Sequence, residues 1–484
     1  MTELLEPPPA LQFDAGTGRM RLDPHDAAFV QDPYAAYAFF HDRARAFFWE
    51  DFGFWCFAGY DDVNRLLRNR RLGRERPGGY RNFPEGADAR RHLAAFDAVE
   101  AHSLLELEAP VHTRLRTLVN RAFVSRQVER LRPRIEALAH ELVDAIEADG
   151  HADLLPAFAT PVPITVIAEM LGVPVETGPQ LLDWSHRIVA MYAHGRTRAV
   201  EEDADRAAKE FGDFIREHAR WRRQTEPGDD LLGVLTAAHE SGDRLSEDEL
   251  VSSVILLLNA GHEATVHQTG NAIRAILKQG GDPRRFFGSP EAVAATVEEC
   301  LRFDAPLHMF TRYVYDPAVL PEGGLPDGVK VEPGDRIGLL LGAANTDPAA
   351  FAAPRRFDPG RTDQKNVSFG AGIHFCIGAP LARIELQASL KVLFERLPGS
   401  GWPASRPIAT PTISTGSTGS TARGERSAHS RITYSLRVVS ITSQVPAKPG
   451  RMTKLSPAPT VRASPPSSAI TETPDRMWQN SHSS

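Results

Sequence analysis

The chain has 484 residues, 42% hydrophobic and 24% charged, with a net charge of −7. That length accommodates two or three ordinary domains or one large one, and the composition is that of a soluble globular protein. Charge is uneven: from Gly399 onward ten Lys/Arg face three Asp/Glu, which leaves −14 on the first 398 residues and argues against nucleic acid as a partner of the main body.

Residues 1–20, "MTELLEPPPALQFDAGTGRM", form a polar, Pro-rich segment. It has neither the basic start and apolar run of a signal peptide nor a membrane span, so a cytoplasmic chain with no membrane partner is expected. The stretch "DPYAAYAFFHDRA" reads as helix, "AFFWEDFGFWCFAG" as strand, and "DDVNRLLRN" as a second short helix. Arg74 to Glu85 carries Gly and Pro and reads as loop. In "RPRIEALAHELVDAIEADG", Ile135, Leu138, Leu142 and Ile146 repeat at helical spacing and Gly150 marks the stop. Further helices are expected near Pro163–Leu171, Gly178–Ala193 and Ala199–Arg223.

The longest helix begins at the capping box "SEDE", Ser246 to Glu249, and runs to about Lys278. Val251 through Leu258 is nearly all apolar, which predicts burial on every side. Gly261 and Glu263 inside such a helix need a neighbour to explain them, because interior glycine weakens a helix and an unpaired buried carboxylate is costly. Zinc is excluded on spacing. H-E-x-x-H needs its histidines four apart, whereas His262 and His267 are five apart, roughly 140° around the helix, with no third ligand close by.

Cys56, Cys300 and Cys376 are an odd, scattered set, so no disulfide framework is implied. Cys376 differs from the others. It sits in "FGAGIHFCIGAPLARIELQ", a glycine-rich loop just before a helix. Glycines allow backbone to approach a flat ligand, and helix N-terminal amides stabilise a thiolate.

The pattern F-G-x-G-x-H-x-C-x-G, Phe369, Gly370, His374, Cys376 and Gly378 included, resembles the heme-binding loop of the cytochrome P-450 superfamily at every position. "EECLR" supplies that family's E-x-x-R as Glu299 and Arg302, and "AANTDPAAFAAPRRFDPGR" resembles the segment between that helix and the cysteine loop. The resemblance implies a mainly α fold with a small β-rich lobe, a long distal helix and the cysteine loop on the proximal heme face. It implies heme b with Cys376 as axial thiolate and metal ligand. His112 and Arg116 in "APVHTRLRTLVNRAF", Arg312 in "MFTRYVYDP" and His374 are then the heme propionate partners.

By the same resemblance "LLLNAGHEATVHQTGN" is the distal helix, with Ala260 and Gly261 as the oxygen groove and Glu263 as the acid of a proton relay. The family has threonine directly after the acid. Here Ala264 takes that place and Thr265 follows one residue later, about 100° around the helix. An ordered water, a substrate hydroxyl or a distorted Thr265 is therefore expected to complete the relay.

These residues imply a monomeric heme-thiolate monooxygenase that inserts one atom of O2 into a small, mainly apolar organic substrate. No electron-transfer module follows the cysteine loop, so electrons are expected from NAD(P)H through a separate ferredoxin and ferredoxin reductase. Substrate contacts are expected from Tyr80–Glu106, Leu257, Ala260 and Leu307–Phe310, with Phe96, Leu104 and Met309 equally readable as core. The heme domain spans residues 21–398. Residues 399–484 are Ser/Thr/Pro/Arg-rich, a disordered composition, where the family has a β-hairpin. The abrupt change of pattern leaves two readings, a genuine tail or a frameshift near Gly399. A peroxide-driven heme enzyme, and a heme- or ligand-binding protein impaired by its tail, are the competing readings.

Overall fold

The computed structural model describes residues 5–79, 87–120, 123, 128–149, 152–193, 195–225, 230–240, 245–320, 330–363, 365–397 and 440–441. The chain divides into two units, Met1–Val445 and Pro446–Ser484, the second wholly outside the described residues. The expectations for Gly150, for the 80–85 part of the loop and for nearly all of the tail fall outside them too. In the tail, β9 (Ser440–Ile441) forms a strand antiparallel to β6 (Ala152–Asp153).

The architecture is mainly helical with a small mixed sheet. Runs of consecutive aromatic residues build two strands, β3 (Ala46–Trp49) and β4 (Phe54–Phe57), which pair as an antiparallel hairpin. To these add β1 (Gln12–Asp14), β2 (Arg19–Arg21), β5 (Leu72–Gly73), β7 (Phe310–Val314) and β8 (Arg336–Leu339), giving a seven-stranded sheet in the order β1-β2-β3-β4-β8-β7-β5. All four residues of β4 are buried, as expected for a central strand covered on both faces.

The expected helices form at Tyr34–Arg43, Tyr60–Arg68, Arg132–Asp149, Pro161–Leu171, Gly178–Val189 and Arg198–Thr225. The longest, Glu247–Leu277, has 31 residues and both hydrogen bonds of the capping box between Ser246 and Glu249. The expectation of burial all round fails on one stripe: Ala260 is exposed, and Gly261, Glu263, Ala264 and His267 are half-buried. Among the described residues no helix is long and apolar enough to cross a membrane.

Glu299 and Arg302 lock the helix Pro290–Phe303 to the cysteine-bearing half of the chain. Arg302 donates to both Glu299 oxygens at 2.8 Å and to the carbonyls of Asn345 and Pro354 at 2.8 and 2.9 Å. Glu299 also accepts from the Asp358 amide and Arg361. Both members are buried, so every remaining donor and acceptor has to be matched for the pair to hold.

Candidate functional site

The segment from Phe369 to Gly378 folds as a tight loop because its glycines permit it. Gly370 and Gly372 have φ of 68° and 74°, and a Cβ on Gly372 would stand 2.6 Å from the Leu67 carbonyl oxygen. The loop closes where the Cys376 amide donates to the Phe369 carbonyl at 2.9 Å. Gly378 then caps the helix Ala379–Arg396. Phe369 is clamped between an edge contact to Phe375 at 6.3 Å and the Arg383 guanidinium at 4.6 Å. Phe375 itself is exposed.

Cys376 is half-buried. Burial pushes its thiol up, against the opposing pull of the Gly378 amide, Arg116 and the Ala379 amide. The Gly378 and Ala379 amides favour the thiolate, as the loop-before-helix sequence led one to expect, and Arg116 and Arg383 act in the same direction, with burial opposing all four.

Three elements bring polar groups to this loop. His112, on the helix Val111–Asn120, is buried, and neither ring nitrogen has a partner among the described residues. Its ring lies 4.5 Å from that of His374. Burial, then His374 and Arg116, lower His112 to about 4, so at neutral pH it is an uncharged donor rather than a cation. Arg116 donates to the Phe375 carbonyl. Arg312 is buried on β7 and donates to the Thr311 carbonyl at 2.8 Å. Burial, and next the neighbouring Arg74, bring it down to about 10.

His374 does not stand free: its Nε2 is 2.9 Å from Glu108 Oε1. Glu108 and Arg74 were missed in the sequence. Arg74 pairs with Glu106, and its amide donates to Glu108 at 2.7 Å. Glu108 lies four residues before His112, a helical spacing that the preceding Pro-containing turn disguises.

On the long helix, Ala260 and Ala264 are one turn apart and share the open stripe. Gly261 also meets a neighbouring helix. A Cβ there would meet Ile167 at 3.2 and 3.3 Å, so the glycine lets the helix Pro161–Leu171 cross closely. The neighbour that the sequence demanded is thus a helix.

Thr265 is buried, and its hydroxyl donates to the Gly261 carbonyl at 3.2 Å within a continuous helix. No local distortion turns it toward Ala264. Gln268, one turn beyond Ala264, is buried, and neither amide atom has a partner among the described residues. Glu263 points to histidines: its Oε1 is 3.4 Å from His186 Nε2 and its Oε2 3.8 Å from His267 Nε2. His186, on the helix Gly178–Val189, was not foreseen as part of this site. Of the expected substrate contacts, Phe96, Leu104 and Leu257 are buried core, whereas Leu307 is exposed and Met309 packs against the sheet.

These residues fit an amphipathic, dianionic metalloporphyrin. A soft sulfur ligand stands in a glycine loop, His112 is buried with both ring nitrogens unpartnered among the described residues, Arg312 adds a buried cation, and a small-residue stripe is uncovered in an otherwise buried helix.

Comparison with known proteins agrees. A family model described as Cytochrome P450 matches residues 291–399. The chain is 34% identical to the polyketide biosynthesis cytochrome P450 PksS of Bacillus subtilis, covering 78% of this chain and 92% of that protein. It is 37% identical to the 6-deoxyerythronolide B hydroxylase of Saccharopolyspora erythraea, over 71% of this chain and 83% of that one. A myxobacterial cytochrome P450, CYP267B1, solved with myristic acid, superposes with a TM-score of 0.68 at 36% identity, over 77% of this chain and 90% of its own.

Proposed function

The chain belongs to the cytochrome P450 family and is a cytochrome P450 monooxygenase using heme and O2; on that premise we propose that residues 21–398 insert one oxygen atom into a small, mainly apolar organic molecule, with Cys376 as the axial thiolate. The observation that carries the assignment of Cys376 is its position in the glycine loop beside His112, whose two buried ring nitrogens have no partner among the described residues. The apolar substrate class is supported by the relatives, one a hydroxylase of 6-deoxyerythronolide B and one solved with myristic acid. Electrons come from NAD(P)H through a separate ferredoxin and its reductase, as the family's bacterial members generally use.

Heme b, when bound, supplies an iron at which O2 is activated, with the thiolate pushing electron density toward O–O cleavage. The chain's own residues do the rest. His112 would offer a neutral N–H, and Arg116 and Arg312 guanidinium donors, to the propionates of a bound heme. Glu108 holds His374 by its Nε2 and so orients the ring beside His112. Ala260 and Ala264, small and not fully buried, would leave room for O2 and substrate beside a bound heme.

Glu263 holds the proton to be delivered at a carboxyl oxygen. Ala264 has no hydroxyl and that of Thr265 is committed to the Gly261 carbonyl, so the proton passes through an ordered water or a hydroxyl of the substrate. That commitment of Thr265 also favours a second reading, in which hydrogen peroxide supplies the oxygen atom and both protons. Turnover with peroxide alone, exceeding that with the ferredoxin chain, would establish it.

The carbon monoxide difference spectrum of the reduced protein tests the main reading. A strongly red-shifted Soret band that Cys376→Ser abolishes is expected. Heme binding with an unshifted band in the unmodified protein would refute Cys376 as thiolate ligand.

A further inference from the structure

We propose that His186, His262 and Glu263 form a binding site for a divalent transition-metal ion of the zinc class, on the side of the long helix that faces the helix Gly178–Val189. One ligand atom from each of the three residues falls within 4.8 Å of the others. The pair His262/His267 could not chelate because of its spacing. The missing ligand comes from another helix, 76 positions before His262 in the numbering.

His262 carries the argument furthest. It is 1% exposed. Its Nδ1 lies 3.0 Å from the Leu258 carbonyl oxygen, an acceptor only, so Nδ1 bears the hydrogen. Nε2 then presents a lone pair, and it is buried with no partner among the described residues. A histidine whose one nitrogen donates to a backbone carbonyl while the other offers a lone pair is the arrangement that orients a metal-binding imidazole.

The remaining ligands complete a recognisable set. Glu263 Oε1 is 3.4 Å from His186 Nε2, close to the separation of about 3.4 Å that two ligands take around tetrahedral zinc at bonds of about 2.0–2.1 Å. The His186 side chain is 59% exposed, so it can swing to close the set and gives an ion a path in from solvent. Two imidazoles and one carboxylate suit zinc and leave a fourth position for water. His267, 3.8 Å from the other Glu263 oxygen, steadies the carboxylate from behind. Occupation would withdraw Glu263 from proton transfer, making zinc an inhibitor of oxygen activation; this consequence, unlike the binding, rests on the role proposed for Glu263.

The test is calorimetric titration of Zn2+ into untagged, chelator-treated heme protein, beside His186→Ala, whose substitution site is exposed and whose carbon monoxide spectrum verifies its fold. One ion per chain is expected, with affinity at least about tenfold weaker in His186→Ala. His262→Gln, which keeps a polar group but removes the imidazole lone pair, should show the same loss. No saturable binding, or equal affinity in His186→Ala, overturns the site. Ferredoxin-supported turnover, normalised to each protein's zinc-free rate, reads the consequence. Binding that depends on His186 without inhibition would uphold the metal site and refute Glu263 as the proton donor.

Discussion

Replacing Glu385 with glutamine is expected to stabilise the protein increasingly as pH rises from about 4.5 to about 8. Glu385, on the helix Ala379–Arg396, is 2% exposed and neither of its carboxyl oxygens has a partner among the described residues. Burial raises it from 4.5 to about 8. In that window the unfolded chain has released a proton that the fold retains, so stability is full below about pH 4.5 and declines as pH rises through 8. At about 1.36 kcal/mol per unit, the loss is roughly 3 kcal/mol at pH 7 and has a ceiling of roughly 5 kcal/mol above pH 8. Glutamine has a similar shape and the same unsatisfied polar character as the protonated acid, but it never ionises. The difference between variant and parent should therefore start near zero in acid and grow by those amounts. Denaturant unfolding of the heme protein, followed by circular dichroism at several pH values, reads it directly. A difference that stays flat across the range would refute a neutral, unsolvated Glu385.

Ala264→Thr should restore an alcohol after the acid and lower the fraction of NAD(P)H lost to hydrogen peroxide, measured with a true substrate; an unchanged yield would mean that this position does not limit proton delivery. Arg302→Lys keeps the charge but cannot reach Glu299 with two donors and two carbonyls at once, and should cost about 3–5 kcal/mol with loss of heme on gentle heating. Gly261→Ala gains about 1 kcal/mol of helix propensity but presses on Ile167, costing about 1–3 kcal/mol. Adding Ile167→Ala, which removes both contacting atoms, Cγ1 and Cδ1, should relieve the contact, so a double-mutant cycle should show favourable coupling of about 1 kcal/mol. His112→Phe removes the buried unpaired ring nitrogens and should weaken heme retention, seen as faster transfer to an apomyoglobin acceptor, without unfolding the helix Val111–Asn120.

What could be read along the chain was what depends on near neighbours. The capping box at Ser246–Glu249, the apolar spacing of Ile135 to Ile146, the glycines around Cys376 and the Glu299/Arg302 spacing all work over a few residues, and each formed where expected. The motifs also pointed to the family before any fold was known. Tertiary structure decided the contacts made between elements far apart in sequence. It set Ile167 against Gly261, tied His374 to Glu108, and brought His186 to Glu263 and His262. It left Ala260 uncovered on a helix whose composition predicted burial all round. Periodicity records which face of a helix is apolar, whereas crossing partners depend on how whole helices pack. An acid or imidazole acquires its proton affinity and its partners only from that packing.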